Sequence, residues 1–152
     1  MDIKNISFSK RPISIPPEYR PIFKISQITM ILGYCCRSNR SNLLKLHLLS
    51  WVLKADSNAN IVIKWINDGF KTELPVWGIE PTLNRGLQYA IAEDICQYEK
   101  GKYELTNRGK GLFIAINSDK ELLYKEKIIL EAIGKKISDD RITNLSKQWT
   151  LF

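Results

Sequence analysis

The chain has 152 residues, 44% of them hydrophobic and 26% charged, which suits one globular domain and excludes a fully disordered chain. Its formal net charge of +7 favours anionic partners, namely nucleic acid, an acidic protein surface or a membrane surface. No apolar run approaches the ~20 residues that span a bilayer, and no secretion signal is recognisable, so we expect a cytoplasmic protein without a membrane partner.

The first 22 residues predict an extended arm. They contain Pro12, Pro16, Pro17 and Pro21, which disfavour a helix. The arm also carries apolar residues, so we expect it to dock on a partner or on the domain formed by residues 23–152.

Four helices are predicted to follow. The spacing of apolar residues indicates helices over 25–36, 42–55 (capped by Ser41), 58–67 (ending at Asp68-Gly69) and 82–93 (beginning at Thr82). The second helix is apolar almost all round, which is typical of a helix buried on most sides. In a domain of this size we expect a partner to cover one of those sides.

A β-hairpin and a capped helix come next. We predict strands over 95–98 and 103–105, joined by a tight turn in which Gly101 has a positive φ. Thr106 is a suitable cap for the helix that begins at Asn107. Helix, hairpin and capped helix in this order predict a mainly α, winged-helix-like single domain with a small β-hairpin.

The C-terminal region predicts one long amphipathic helix over 120–137, with Leu122, Ile129 and Ile133 on its apolar stripe. A shorter helix is expected from Ser138, and the apolar end of the chain at Trp149, Leu151 and Phe152 is expected to pack against the protein or a neighbour.

Residue types that carry catalysis are scarce. His47 is the one histidine, and Cys35, Cys36 and Cys96 form no C-x-x-C pair, so we expect buried, reduced thiols and no zinc site. Neither a P-loop nor a dinucleotide-binding motif is present. We therefore expect no catalytic, cofactor-binding or metal-binding residues, and no enzymatic activity.

Basic residues point to nucleic acid. Arg37 and Arg40 flank a polar turn at the start of a helix, where backbone N–H groups favour a phosphate. Exposed positions of the helix over 82–93 would suit base contacts. The candidate nucleic-acid-binding residues are Arg37, Arg40, Arg85, Gln88, Lys100, Lys102, Arg108 and Lys110.

The segment from Arg20 to Lys54, RPIFKISQITMILGYCCRSNRSNLLKLHLLSWVLK, resembles the start of the middle components of bacterial ABC three-component systems. These are the LmuC-type small subunits of Lamassu anti-phage defence operons. The similarity lies in the Arg-Pro lead-in, the short helix ending in cysteine and a basic turn, and the Leu-Leu-Lys-Leu-His-Leu…Trp helix. It continues through Asn84-Arg85 and from Tyr103 to Gly111.

The resemblance implies a non-catalytic accessory subunit that links an SMC/Rad50-like ATPase to an effector, commonly a nuclease. Contact with the DNA backbone is a further expectation. On this basis the predicted partner-binding residues are Leu44, Lys45, His47, Leu48 and Trp51.

A free-standing winged-helix transcription regulator or antitoxin is the alternative. It would use the helix over 82–93 and the hairpin on DNA. Specific operator binding would favour this reading, whereas co-purification with a large ATPase would favour the accessory subunit.

Overall fold

The structure, a computed structural model, describes residues 20–75 and 80–149, and side chains as far as Lys147. This part contains seven α-helices and a three-stranded antiparallel sheet, and 67% of it is helical. The elements are α1 Pro21–Cys35, β1 Arg40–Ser41, α2 Leu43–Val52, α3 Asp56–Asn67, α4 Pro81–Ala92, β2 Cys96–Glu99, β3 Lys102–Leu105, α5 Asn107–Ser118, α6 Tyr124–Ile133 and α7 Asp139–Trp149. The mainly helical fold with a small sheet is confirmed.

Helix α1 lies at the centre of the molecule, in contact with α2, α4, α5 and α6. Ile28, Ile31 and Leu32 on it are fully buried. The helix begins at Pro21, whereas we predicted that the arm reaches residue 22 and the helix starts at 25. Proline is tolerated at the first helical position, because that N–H has no partner within the helix. Residues 1–19 of the predicted arm lie outside the described residues.

Helix α2 is capped by Asn42, whose side-chain oxygen accepts a hydrogen bond from the Lys45 N–H at 2.9 Å. The prediction of Ser41 as the cap is wrong, because Ser41 lies in β1 and its hydroxyl donates to the Asn42 carbonyl instead. The helix packs on α1, α3 and α7, so other helices of the same chain bury the apolar residues for which we expected a partner.

Helices α3 and α4 match their predictions to within two residues. α3 ends at Asn67, and Gly69 follows with a φ of +75°. α4 begins at Pro81 rather than Thr82, again with proline in the first turn. The sequence also predicts an extended stretch over 74–79 before this helix, and inward positions for Leu83, Leu87, Ala90 and Ile91. Leu83, Leu87 and Ala90 are buried, whereas Ile91 is exposed. Residues 76–79 of the extended stretch lie outside the described part.

The hairpin is confirmed, and a strand that we did not predict joins it. β2 and β3 pair through a two-residue turn in which both Lys100 and Gly101 have positive φ, as a tight hairpin turn requires. β1 pairs with the other side of β3, with Arg40 opposite Glu104, which gives the order β1-β3-β2. This pairing brings the basic turn of residues 37–41 next to the hairpin.

Thr106 caps α5 as predicted, since its hydroxyl oxygen accepts a hydrogen bond from the Gly109 N–H at 3.0 Å. The predicted helix over 120–137 is shorter, Tyr124–Ile133. The Asp119 carboxylate accepts hydrogen bonds from the Glu121 and Leu122 N–H groups and forms a turn, and Gly134 ends the helix at a φ of +55°.

Helix α7 begins at Asp139, next to the predicted Ser138 start, and packs on α2. The predicted packing of the chain end at Trp149, Leu151 and Phe152 falls outside the described side chains. No helix among the described residues is both long and apolar enough to cross a bilayer.

Candidate functional site

A basic groove lies where the turn after α1, strand β3 and the start of α7 meet. It contains Arg37, Arg40, Lys45 and Lys102 and is closed on one side by the α7 residues Asp139 and Asp140. Its volume is about 220 Å³. Pairing of β1 with β3 brings Lys102 beside Arg37 and Arg40, which are more than 60 positions away in the sequence.

The Asp139 carboxylate is bound at the N-terminal end of α2. Its Oδ2 accepts a hydrogen bond from the Asn42 N–H at 3.0 Å and lies 2.9 Å from Lys102 Nζ. Its Oδ1 lies 4.0 Å from Lys45 Nζ. The sequence predicted a phosphate on these backbone amides, and the structure places an internal carboxylate there.

Lys45 connects the groove to the central helix. It is only 3% exposed, and its ammonium donates to the Cys35 carbonyl at the end of α1 at 2.7 Å. A cation is favourable at the C-terminal end of a helix, where carbonyl groups lack helical partners. The same ammonium faces Asp139 in the groove, with Oδ1 4.0 Å away, so Lys45 contributes its charge to the groove from a buried position.

Arg37 and Arg40 take part in no ion pair within the described part of the chain. Arg37 is exposed and Arg40 half-buried. Ser38 and Asn39 between them both have a φ of +56°, and the Asn39 amide donates to the Leu32 carbonyl at 3.2 Å. The turn is therefore fixed to α1 while its two guanidinium groups keep their donors unused.

The remaining predicted nucleic-acid residues lie outside the groove. Lys100 is exposed at the tip of the hairpin, and Arg85 and Gln88 are exposed on α4. Arg108 and Lys110 are exposed near the start of α5. The structure thus gathers three of the eight predicted nucleic-acid-binding residues, Arg37, Arg40 and Lys102, into one site.

Three of the five predicted partner-binding residues are not accessible. Lys45, His47 and Leu48 are at most 3% exposed, so they form no surface for a partner, because the neighbouring helices cover this side of α2. Leu44 and Trp51 are half-buried. A partner contact through those two residues stays a prediction.

A second polar cluster, which the sequence analysis missed, surrounds Glu80 at the other end of α2. Its Oε1 accepts from the Ser50 hydroxyl at 2.5 Å and lies 3.7 Å from Lys24 Nζ, and its Oε2 lies 3.0 Å from Lys54 Nζ. Burial alone would raise the pKa of Glu80, but the Ser50 hydroxyl and the two lysines lower it, and the pKa is lowered overall. No local motif marks this cluster, because Glu80 lies 30 positions from Ser50 and still further along the chain from Lys24.

His47 belongs to the same cluster. Its Nδ1 accepts a hydrogen bond from the Glu80 backbone N–H at 3.2 Å, so Nε2 carries the proton of the neutral ring. Nε2 is buried and has no hydrogen-bond partner of ordinary geometry in the described part. Burial lowers the pKa of His47, and the neighbouring Glu80 and Asn84 side chains only partly oppose this.

The three cysteines are free and buried, as predicted. Burial raises the pKa of Cys35 to about 12 and those of Cys36 and Cys96 to about 11. Among residues 20–75 and 80–149, no three His, Cys, Asp or Glu side chains are arranged to hold a metal ion.

Comparison with known proteins found no matching family model, no matching curated protein and no matching solved structure.

Proposed function

We propose that this chain is a non-catalytic, cytoplasmic accessory subunit that links an SMC/Rad50-like ATPase to an effector nuclease in a Lamassu-type anti-phage complex. The proposal starts from the resemblance of residues 20–54 to the small subunits of those systems. It assigns two roles to the fold: one surface that binds protein and a basic groove that faces anions.

The element order supports a winged-helix-like fold. A short strand after the first helix, two further helices and a helix followed by a hairpin give the strand order β1-β3-β2. The second strand of the hairpin lies in the middle, which is the arrangement of winged-helix domains. In this proposal α4 takes the place of the recognition helix, and α3 is an additional helix before it.

The outward face of α6 carries the proposal of a protein partner. Tyr124 and Ile128 lie one turn apart on it and are 63% and 48% exposed. Ile114 on α5 is another large apolar residue with most of its side chain exposed. Apolar side chains that line one helix face are typical of a surface that a partner covers.

Co-expression with the genes of the same operon tests this function. We expect the tagged chain to co-elute with the coiled-coil ATPase on size exclusion, and Ile128→Glu to reduce the recovered ATPase at least about ten-fold, since a buried charge at a contact is costly. Ile91→Glu is the matched control, because Ile91 is an isoleucine of similar exposure on α4.

A chain that elutes alone as a monomer beside every neighbouring gene product would refute the accessory role. Equal loss of ATPase with Ile128→Glu and Ile91→Glu would refute the assignment of the contact to α6.

A DNA-binding regulator is the second candidate, favoured by the exposure of Arg85 and Gln88 on α4, directly before the hairpin. This function predicts selection of one operator sequence from a random duplex library. Arg85→Ala would then cost about 1–3 kcal/mol of discrimination between bases. Sequence-independent binding that weakens steeply with salt would contradict it.

A further inference from the structure

The basic groove already holds one anion. The Asp139 carboxylate accepts a hydrogen bond from the Asn42 N–H at 3.0 Å, and its two oxygens lie 2.9 Å from Lys102 Nζ and 4.0 Å from Lys45 Nζ. One amide and two ammonium groups thus converge on a single carboxylate. The geometry that recognises an anion is therefore present before any ligand arrives.

The groove has more positive charge than Asp139 uses. Four cationic side chains and two carboxylates line it, and Arg37 and Arg40 have no ion pair in the described part of the chain. A volume of about 220 Å³ leaves room beside Asp139 for an anionic group. Because guanidinium groups bind two oxygens of one phosphate side by side, the unused donors suit a phosphate.

The charge continues beyond the groove. Lys100 stands exposed at the hairpin tip, two residues from Lys102. Several cations on the groove and on the adjoining hairpin fit a chain of phosphates better than a single small anion. The net charge of +7 gives the whole chain the attraction for nucleic acid that such a surface needs.

We infer that the basic groove binds phosphodiester groups of nucleic acid, and that the Asp139 carboxylate is a built-in competitor for this site. A phosphate bound by Arg37 and Arg40 faces the negative charge of Asp139, which shares Lys102 and Lys45 with it. Binding then requires the phosphate to displace Asp139 or to bind against its repulsion. This inference details the DNA contact of the proposed function, but it does not require the ATPase.

Neutralising the competitor tests the inference directly. The full chain is titrated against a 20-base-pair duplex of random sequence, with fluorescence anisotropy as readout, at several salt concentrations. We expect Asp139→Asn to tighten binding on the order of five-fold, because the site loses its internal anion. Asp140→Asn is the matched control. It removes the same charge from the groove, but the Asp140 side chain is exposed and accepts no hydrogen bond from the Asn42 N–H. We expect it to change affinity by about two-fold at most.

A second pair of variants leaves α7 intact. Arg37→Ala removes a groove guanidinium, and Arg108→Ala removes an equally exposed guanidinium on α5. We expect Arg37→Ala to reduce the slope of log affinity against log salt by about one, and Arg108→Ala to leave it nearly unchanged. This pair decides the matter even if Asp139→Asn unfolds the chain.

Equal effects of Asp139→Asn and Asp140→Asn in folded proteins would overturn the role of Asp139. Equal effects of the two arginine variants would overturn the groove as the site. Polyglutamate bound as tightly as DNA would overturn phosphate as the ligand. All of these titrations use the isolated chain. A failure to bind DNA would therefore leave the ATPase complex unaffected, and a failure to form that complex would leave DNA binding by the groove unaffected.

Discussion

The two ends of α2 carry the same arrangement of charges with different surroundings. Asp139 at the N-terminal end and Glu80 at the C-terminal end each lie within 4.0 Å of two lysine ammonium groups. A carboxylate is favoured at a helix N-terminus and disfavoured at a C-terminus. Glu80 is also the residue that precedes α4, so its two lysines and the start of α4 together offset the unfavourable end of α2. Asp139 lies at the favourable end of α2, where it accepts a hydrogen bond from the Asn42 N–H.

At each end one lysine also has a second acceptor, since Lys24 donates to Gln27 and Lys45 donates to the Cys35 carbonyl. The two ends differ in the cations that surround these pairs. Beside Asp139, two arginines remain outside any described ion pair and a cavity is open to them. The difference teaches that paired charges alone do not indicate a binding site. Hydrogen-bond donors without an ion pair, next to an open groove, do indicate one.

The largest expected effect lies where α5 meets the hairpin that carries Lys102. A Cβ at Gly109 would lie 2.0 Å from the Ile95 carbonyl oxygen, which is backbone and cannot move aside. We expect Gly109→Ala to lower the free energy of unfolding by about 3 kcal/mol, as seen for overpacked sites. Urea denaturation measures it.

Gly111→Ala is the control for that prediction. Gly111 lies two residues further along the same helix, and a Cβ there meets nothing within 4 Å. Since alanine favours a helix more than glycine does, we expect a gain of about 0.5–1 kcal/mol. A loss of stability with Gly111→Ala would show that this turn of α5 tolerates no side chain. The destabilisation by Gly109→Ala would then not be caused by the close contact with the Ile95 carbonyl.

The next effect tests the closed cluster. Glu80→Gln removes a carboxylate that lies 3.7 Å from the buried Lys24 ammonium and accepts from the Ser50 hydroxyl, so we expect a loss of about 2–3 kcal/mol in the free energy of unfolding. Lys54 is half-exposed, so its share is small. Glu93→Gln, at the exposed residue that follows α4, should change stability by no more than about 0.5 kcal/mol. Similar losses from both variants would contradict a special role of Glu80.

Acid should weaken the Glu80 end of α2, where His47 and Glu80 both have lowered pKa values. Burial holds the folded-state pKa of His47 below its ordinary value of 6.5, so the unfolded chain binds the proton first as the pH falls below that value. Stability is therefore full above about pH 6.5 and decreases below it, by at most about 1.4 kcal/mol per pH unit for one group.

The lowered pKa of Glu80 affects stability in the same direction at lower pH, because the free energy of unfolding decreases as the pH falls below about 4.5. Urea denaturation at pH values between 7.5 and 5 measures the contribution of His47 to stability separately from that of Glu80. His47→Gln should flatten that slope, and an unchanged slope in the variant would contradict our assignment to His47.

The smallest effect is the stability change of Asp139→Asn. The asparagine oxygen can still accept from the Asn42 N–H, and Lys102 is about 39% exposed, so solvent screens the pair that is lost. We expect a loss of about 1 kcal/mol or less, which decreases with added salt. A loss as large as that of Glu80→Gln would remove the distinction between the two ends of α2.

Local signals predicted much of the fold. The Thr106 cap, the Lys100-Gly101 turn and the end of α3 at Gly69 follow from residues that lie next to each other in the chain. Proline and serine residues led to wrong helix boundaries. Pro21 and Pro81 begin helices instead of preceding them, and Ser41 lies in β1 instead of capping α2.

Features that depend on distant residues were not predictable in the same way. β1 has two residues, and it forms only because β3 offers a free edge. The basic turn at Arg37 and Arg40 was recognised from the sequence, but Asp139 lies about 100 positions away and no spacing rule connects them. Lys45 and His47 were assigned to a partner surface from the resemblance of their segment, whereas their ammonium and ring are bound inside the fold.

The three buried thiols allow the rate at which this molecule opens to be measured without introducing a new reactive residue. Only the thiolate reacts with an alkylating reagent, and burial raises the pKa of each cysteine to about 11 or 12, so modification at pH 8 requires the surroundings to open. Cys35 and Cys36 lie at the end of the central helix, and Cys96 begins the hairpin. Faster alkylation of Cys96 than of the other two would therefore report detachment of the hairpin alone, and equal rates would report unfolding of the whole domain.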